Sequence, residues 1–225
     1  MNVITIDGPA GAGKSTVAKL TAKKLSEATG TVFEYLDTGS MYRAITLLAL
    51  RQQLDWNVPQ QLEAAAEKAV IHVAEGRTYL NGEDVTDAVR TTEITEKSRY
   101  SAGNQVIRRL MVQWQRQIAG AFLAAGKGLV TEGRDQGMVV FPDAVCKFYL
   151  TASPAERTRR RLAEMHASAE QFDEVYRQIT ERDKRDSERE TAPLREPADA
   201  CRIVSDTMTA EDVAAEMLRI YLQKV

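Results

Sequence analysis

The chain is poor in cysteine and histidine, with two of each among 225 residues. Cys146 and Cys201 cannot build a disulfide framework or a tetrahedral metal site. Both stand in apolar or strand-like stretches and read as plain buried thiols. With only His72 and His166 available, histidine-based catalysis is not expected. A reducing, cytoplasmic setting follows from this cysteine usage. No apolar run approaches the roughly 20 residues of a membrane span. The segment Met1 to Asp7 has no basic region ahead of its apolar residues, so no signal peptide is expected. Internal repeats, low-complexity tracts and linkers rich in Gly, Ser or Pro are also missing. The formal net charge is −2, which argues against a general nucleic-acid coat. What the chain does have is apolar content, 44% of residues, enough for a sizeable core.

It also has arginine: 20 against 10 lysines, nine of them between Arg157 and Arg195. Guanidinium grips phosphate in a bidentate fork and stays charged. The interleaved Asp and Glu leave a second reading open, a solvated helix face.

Short apolar runs alternate with helical patterns. Val3 to Ile6 reads as a buried strand, followed by a glycine-rich turn and a helix from about Lys14 to Ala28. Val32 to Leu36 is a second strand, and a helix follows through Met41, Ile45, Leu48 and Leu54. Val106 to Leu123 is a long amphipathic helix closed by Gly126 and Gly128. Leu129 to Thr131, Val145 to Leu150 and Ile203-Val204 are further strands, and 209–223 is the last helix. This predicts an α/β fold, a parallel sheet flanked by helices and joined by right-handed crossovers. Two stretches break the pattern. Residues 69–86, with turn dipeptides Glu75-Gly76 and Asn81-Gly82, predict a small antiparallel insertion. Residues 153–190 predict charged helices with little to bury, and hence mobility.

Gly8-Pro9-Ala10-Gly11-Ala12-Gly13-Lys14-Ser15 fits G-x-x-x-x-G-K-[ST], with a buried strand before it and a helix after it. Such a P-loop turns backbone N–H groups inward, and the helix N-terminus adds positive charge where phosphates sit. Lys14 is placed for the β and γ phosphates of ATP, and Ser15 for Mg2+. The base-reading N/T-K-x-D of GTPases is missing. So is a strand ending in Asp-Glu, as motor ATPases have. A small-molecule kinase with an arginine-lined second phosphate site is the reading that remains.

Four further stretches resemble bacterial cytidylate kinases, of the nucleoside monophosphate kinase family. They are Asp37-Thr38-Gly39-Ser40-Met41-Tyr42-Arg43, Asn81 to Thr86 with Arg90-Thr91, Glu132 to Ala144, and Glu181 to Arg189 with Ala192-Pro193-Leu194. They lie in order and span nearly the whole chain. The resemblance implies transfer of the γ-phosphoryl group of ATP to CMP or dCMP with Mg2+. It implies one P-loop kinase domain over 1–225, with a monophosphate-binding insertion at 60–100 and a helical lid at 153–190; a monomer is expected. On the ATP side it places Gly8 to Gly13, Lys14, Ser15 and Thr16, with Arg157, Arg160 and Arg161 as candidate lid contacts. On the CMP side it places Ser40, with Arg43, Arg134 and Arg182 on the acceptor phosphate and Ser98 and Asp135 on the base. Asp186 falls to the ribose and Arg189 lies near base and sugar. Lys14, Arg134 and Arg182 are the catalytic candidates. The family arginine nine residues after the serine falls here on Ile107, with Arg108 next to it.

Plainer roles stand beside these. Asp37 suits a helix cap. Arg134 beside Glu132 suits an ion pair. Arg182, Asp186 and Arg189 fall at i, i+4 and i+7, the spacing of an intrahelical ladder. Tyr35, Trp56 and Trp114 read as packing residues. Two other functions compete: a kinase for a different nucleoside monophosphate or small metabolite, and a P-loop regulatory protein.

Overall fold

A computed structural model describes residues 2–74 and 76–225. It divides into two compact units, Met1–Glu34 with Phe122–Val225, and Tyr35–Ala121.

The first unit is built on β1 (Val3–Asp7), all five residues of which are buried. β1 pairs in parallel with β6 (Gly128–Gly133) on one side and β7 (Cys146–Thr151) on the other. β8 (Cys201–Val204) extends the sheet beyond β7, again in parallel. With β2 (Phe33–Asp37), the sheet order is β2-β6-β1-β7-β8. Near-continuous apolar runs such as Val3-Ile4-Thr5-Ile6 are what a strand covered on both faces requires. α1 (Lys14–Thr29) and α8 (Ala210–Lys224) pack on one another, and α8 opens on a capping box made by Thr209 and Asp212. The expected parallel α/β sheet is therefore present.

Gly126, with φ 74°, ends the helix before β6. Gly128, expected to help close that helix, is instead the first residue of β6, where a Cβ would lie 2.4 Å from the Phe33 ring. The charged stretch folds as α6 (Pro154–Met165) and α7 (Phe172–Glu188). It buries more than its composition suggests: Leu162, Val175 and Ile179 form a small core of their own, flanked by Ala167 and Phe172. Carboxylates face several of its arginines: Arg159 and Arg160 on Glu156, Arg161 on Glu164, Arg177 on Glu174 and Glu181.

The second unit holds α2 (Thr38–Arg51), α3 (Pro59–Lys68), α4 (Thr92–Gly103) and most of α5 (Gln105–Ala124). α2 stops at Arg51, so Leu54 lies beyond it. α3 and α4 are short, and apolar periodicity did not reveal them. The foreseen antiparallel insertion is a three-stranded sheet of β3 (Ile71–Ala74), β4 (Arg77–Leu80) and β5 (Glu83–Asp84). Asn81 and Gly82, both at positive φ, make the two-residue turn between β4 and β5. In the other turn, Glu75 lies outside the described residues. Trp56 stacks on Tyr100 at 5.1 Å, as a packing residue does.

Candidate active site

β1 delivers the chain into the glycine loop at a place where only glycine fits. A Cβ on Gly8 would lie 2.0 Å from the Leu150 carbonyl oxygen on β7. Gly13, at φ 83°, turns the chain into α1. Lys14 is buried and donates from Nζ to the Pro9 carbonyl at 2.7 Å. Burial is the main reason its pKa falls well below the ordinary lysine range, to about 7; Arg134 and Arg182 push the same way, against Glu132 and Asp7. Three cations are thus gathered beside the loop. The Ser15 hydroxyl donates to Glu132 at 2.5 Å. Hydroxyl and carboxylate oxygens are the donors Mg2+ takes, and that ion normally adds only one or two protein ligands to phosphates and waters. This pair fits it.

Arg134 does not form its close ion pair with Glu132. It donates from Nε to Asp186 at 2.9 Å. Burial opposes the Asp186 charge, but Arg134 and Arg182 outweigh it and hold the carboxyl below its usual range. Asp186 thus bonds another segment while Arg182 and Arg189 also favour its charge, and Arg189 falls past the end of the helix, with Nε on the Ala192 carbonyl.

Arg157 is buried, and it donates to the carbonyls of Ala152 and Ala10 and to Asp183. Asp183 in turn accepts from the Ala10 N–H at 3.2 Å. Residue type alone did not mark Asp183 or Asp7. Asp7 ends β1, directly ahead of the loop. Arg160 bonds Ser205, and Arg161 is an exposed partner of Glu164.

In the second unit Asp37 does cap α2, accepting from the Ser40 N–H at 3.0 Å. Its other oxygen accepts from Arg43 at 3.1 Å. Arg43 Nε is buried with no hydrogen-bond partner among the described residues. The Ser40 hydroxyl bonds the Asp37 carbonyl and Thr78. Ser98 bonds the Thr95 carbonyl. Ile107 lies in the core, while Arg108 bonds the Ala102 carbonyl and sits over the Tyr42 ring at 5.7 Å.

The strand–glycine loop–helix unit with its buried lysine defines a P-loop nucleotide-binding protein. The family description for cytidylate kinase matches residues 4–223, and the chain belongs to the cytidylate kinase family. It is 43% identical to a cytidylate kinase of Caldanaerobacter subterraneus, over 93% of this chain and 90% of that one. It is 40% identical to a cytidylate kinase of Rhodopirellula baltica, over 97% and 91%. A bifunctional pantoate ligase/cytidylate kinase of Prochlorococcus marinus is also 40% identical over 99% of this chain, which spans only 43% of that longer protein. Among the described residues no helix is long and apolar enough to cross a membrane.

Proposed function

We propose that this chain transfers the γ-phosphoryl group of ATP to CMP or dCMP, giving CDP or dCDP and ADP. The observation that carries this reading is the gathering of Lys14, Arg134 and Arg182 beside the glycine loop. A nucleotide-dependent switch has no use for the two arginines. A kinase needs them to neutralise a second phosphate.

The loop N–H groups from Gly8 to Gly13, with Ser15 and Thr16, cradle the ATP phosphates. Lys14 releases the Pro9 carbonyl and takes the transferring phosphate as a point charge. Arg157 supports the loop from the ATP side, and Arg161 serves there from the exposed face of α6. Ser15 would hold an Mg2+ ion brought in with ATP, which would supply charge neutralisation at the phosphoryl oxygens.

Arg43, Arg134 and Arg182 hold the acceptor phosphate. Ser40 supports Arg43 through the Asp37 turn. Asp186 and Arg189 take the sugar. Asp135, Ser98 and Arg108 face the base, where a carboxylate accepts from the exocyclic amine of cytosine and meets a lone pair on uracil. The attacking oxygen belongs to an anionic phosphate, so no general base is needed. In-line positioning and charge neutralisation supply the catalysis. Residues 60–100 form the monophosphate-binding region and 153–190 the lid, whose closure excludes water. The protein acts as a cytoplasmic monomer on small nucleotides, without a nucleic-acid polymer or membrane partner.

A coupled ADP-release assay across CMP, dCMP, UMP, AMP and shikimate tests the proposal. CMP and dCMP should stand well above the rest; equal rates with AMP or shikimate would overturn it.

A further inference from the structure

Asp7 closes β1 immediately before the glycine loop and is 1% exposed. A carboxylate this deep needs its charge answered. Here two backbone N–H groups answer it. Oδ1 accepts from Gln136 at 2.8 Å and Oδ2 from Gly137 at 2.7 Å. The parallel register of β1 with β6 ends at Asp7 and Gly133, so strand pairing does not hold the chain that follows. That chain carries Arg134 and Asp135, then enters a single wide turn over Gln136–Val140. Val139 and Val140 donate back to the Asp135 carbonyl, and Phe141 to that of Gln136. The N–H groups of Gln136 and Gly137 open the turn, where the first N–H groups point out of it. Asp7 accepts from both.

The seat is tight on its far side as well. A Cβ on Gly137 would lie 2.9 Å from Thr5 Oγ1 and 3.2 Å from the side chains of Lys147 and Pro197. The charged groups facing Asp7 are Asp135 and Lys14, which oppose one another. Burial is the largest influence and raises its pKa to about 6, against the two N–H donors.

We propose that Asp7 is a positioning residue for the acceptor nucleotide. By holding the N–H groups of Gln136 and Gly137 it fixes the backbone on which Arg134 and Asp135 stand, and so sets the KM for CMP and the preference for CMP over UMP. The inference rests on the kinase reading above. The glycine loop has separate anchors, namely the β1 ladder, α1 and the close contact of Gly8 with Leu150, so loss of the Asp7 contacts reaches ATP only through its weak charge effect on Lys14.

Asp7→Asn keeps the size of the side chain but not its chemistry. An amide oxygen accepts from one N–H while the NH2 group confronts the other. Misplacing a substrate-holding group by about 1 Å costs about a hundredfold. Steady-state kinetics of Asp7→Asn should show a KM for CMP raised about tenfold or more. The CMP-to-UMP ratio of kcat/KM should fall toward one, and the KM for ATP should change far less than that for CMP. A loss of stability alone would leave that ratio unchanged.

If the variant does not fold, the wild-type protein still decides the matter by NMR. The Gln136 and Gly137 amide protons should shift together, with the midpoint of the Asp7 carboxyl carbon, and CMP should bind more weakly below that midpoint. An unchanged CMP-to-UMP ratio in Asp7→Asn, or amides that ignore the Asp7 titration, would overturn the inference. A wild-type protein inactive on CMP would overturn the kinase reading instead, and would do so without altering the amide titration.

Discussion

Burial puts Lys14 at a disadvantage that bound ATP should remove. Burial and the two nearby arginines bring its pKa to about 7. One phosphate charge about 4 Å away is worth about 4 kcal/mol at an effective dielectric of about 20, or about three pK units. Binding of ATP should therefore return Lys14 to full protonation. At pH 8 the free lysine is about one-tenth protonated, so binding should take up about 0.9 proton per site. At pH 6 the free lysine is already charged, and uptake should fall to about 0.1. The sign is set because the protonated form binds phosphate better. ATP affinity should thus drop with rising pH, approaching about tenfold per unit above pH 7. Titration calorimetry at pH 8, in buffers of different ionisation enthalpy, reads the proton directly. Lys14→Gln should abolish the uptake. Proton-neutral binding by the wild type at pH 8, or uptake that survives in Lys14→Gln, would refute the reasoning.

Lys14→Ala should abolish transfer while the protein stays folded, because a buried cation with a depressed pKa costs stability rather than supplying it; turnover and melting of the variant check both halves. Asp135→Asn should lose most CMP activity and narrow the CMP-to-UMP ratio of kcat/KM about tenfold to a hundredfold, since its amide can donate to the uracil carbonyl; both substrates falling together would instead mean that Asp135 only supports Arg134. Asp7 should contribute stability at low pH that is lost between about pH 4 and pH 6, because its folded pKa lies above the unfolded value. The loss is on the order of 3 kcal/mol. Urea unfolding across that window should show it in the wild type, and Asp7→Asn should flatten it. Asp183 ties α7 to the loop through Arg157 and the Ala10 N–H, so Asp183→Asn should speed hydrogen exchange across 172–188; unchanged exchange would remove Asp183 from that role.

The layout of this protein was legible wherever the information is local. Val3 to Ile6, the glycine loop and the helix after it form one contiguous signal, and each step has a nearby cause. Asn81-Gly82 announced its own turn. The short α3 and α4 were not legible, because each buries only two residues of any type and leaves little periodicity. The positioning contacts were hidden for a different reason. Asp7 meets Gln136 across 129 positions and Asp183 meets Ala10 across 173. No spacing rule reaches that far; only the parallel crossovers bring such residues together. The charge pattern of residues 153–190 misled in a related way. A charged, apolar-poor composition suggests little burial, whereas helical geometry sets Glu156, Glu164 and Glu174 directly beside the arginines and gathers Leu162, Val175 and Ile179 into a small core. Arg134 shows both effects, since its sequence neighbour Glu132 sits on Ser15 and its close partner is the distant Asp186.

The central claim is that a phosphoryl group passes from ATP to CMP on this chain and not to water. Phosphorus-31 NMR of the protein with ATP, Mg2+ and CMP follows that group itself. The account predicts that the β-phosphorus signal of CDP grows one for one with ADP, with negligible inorganic phosphate, and that Lys14→Ala shows neither product. Inorganic phosphate growing in place of CDP, or CDP formed at an undiminished rate by Lys14→Ala, would contradict it.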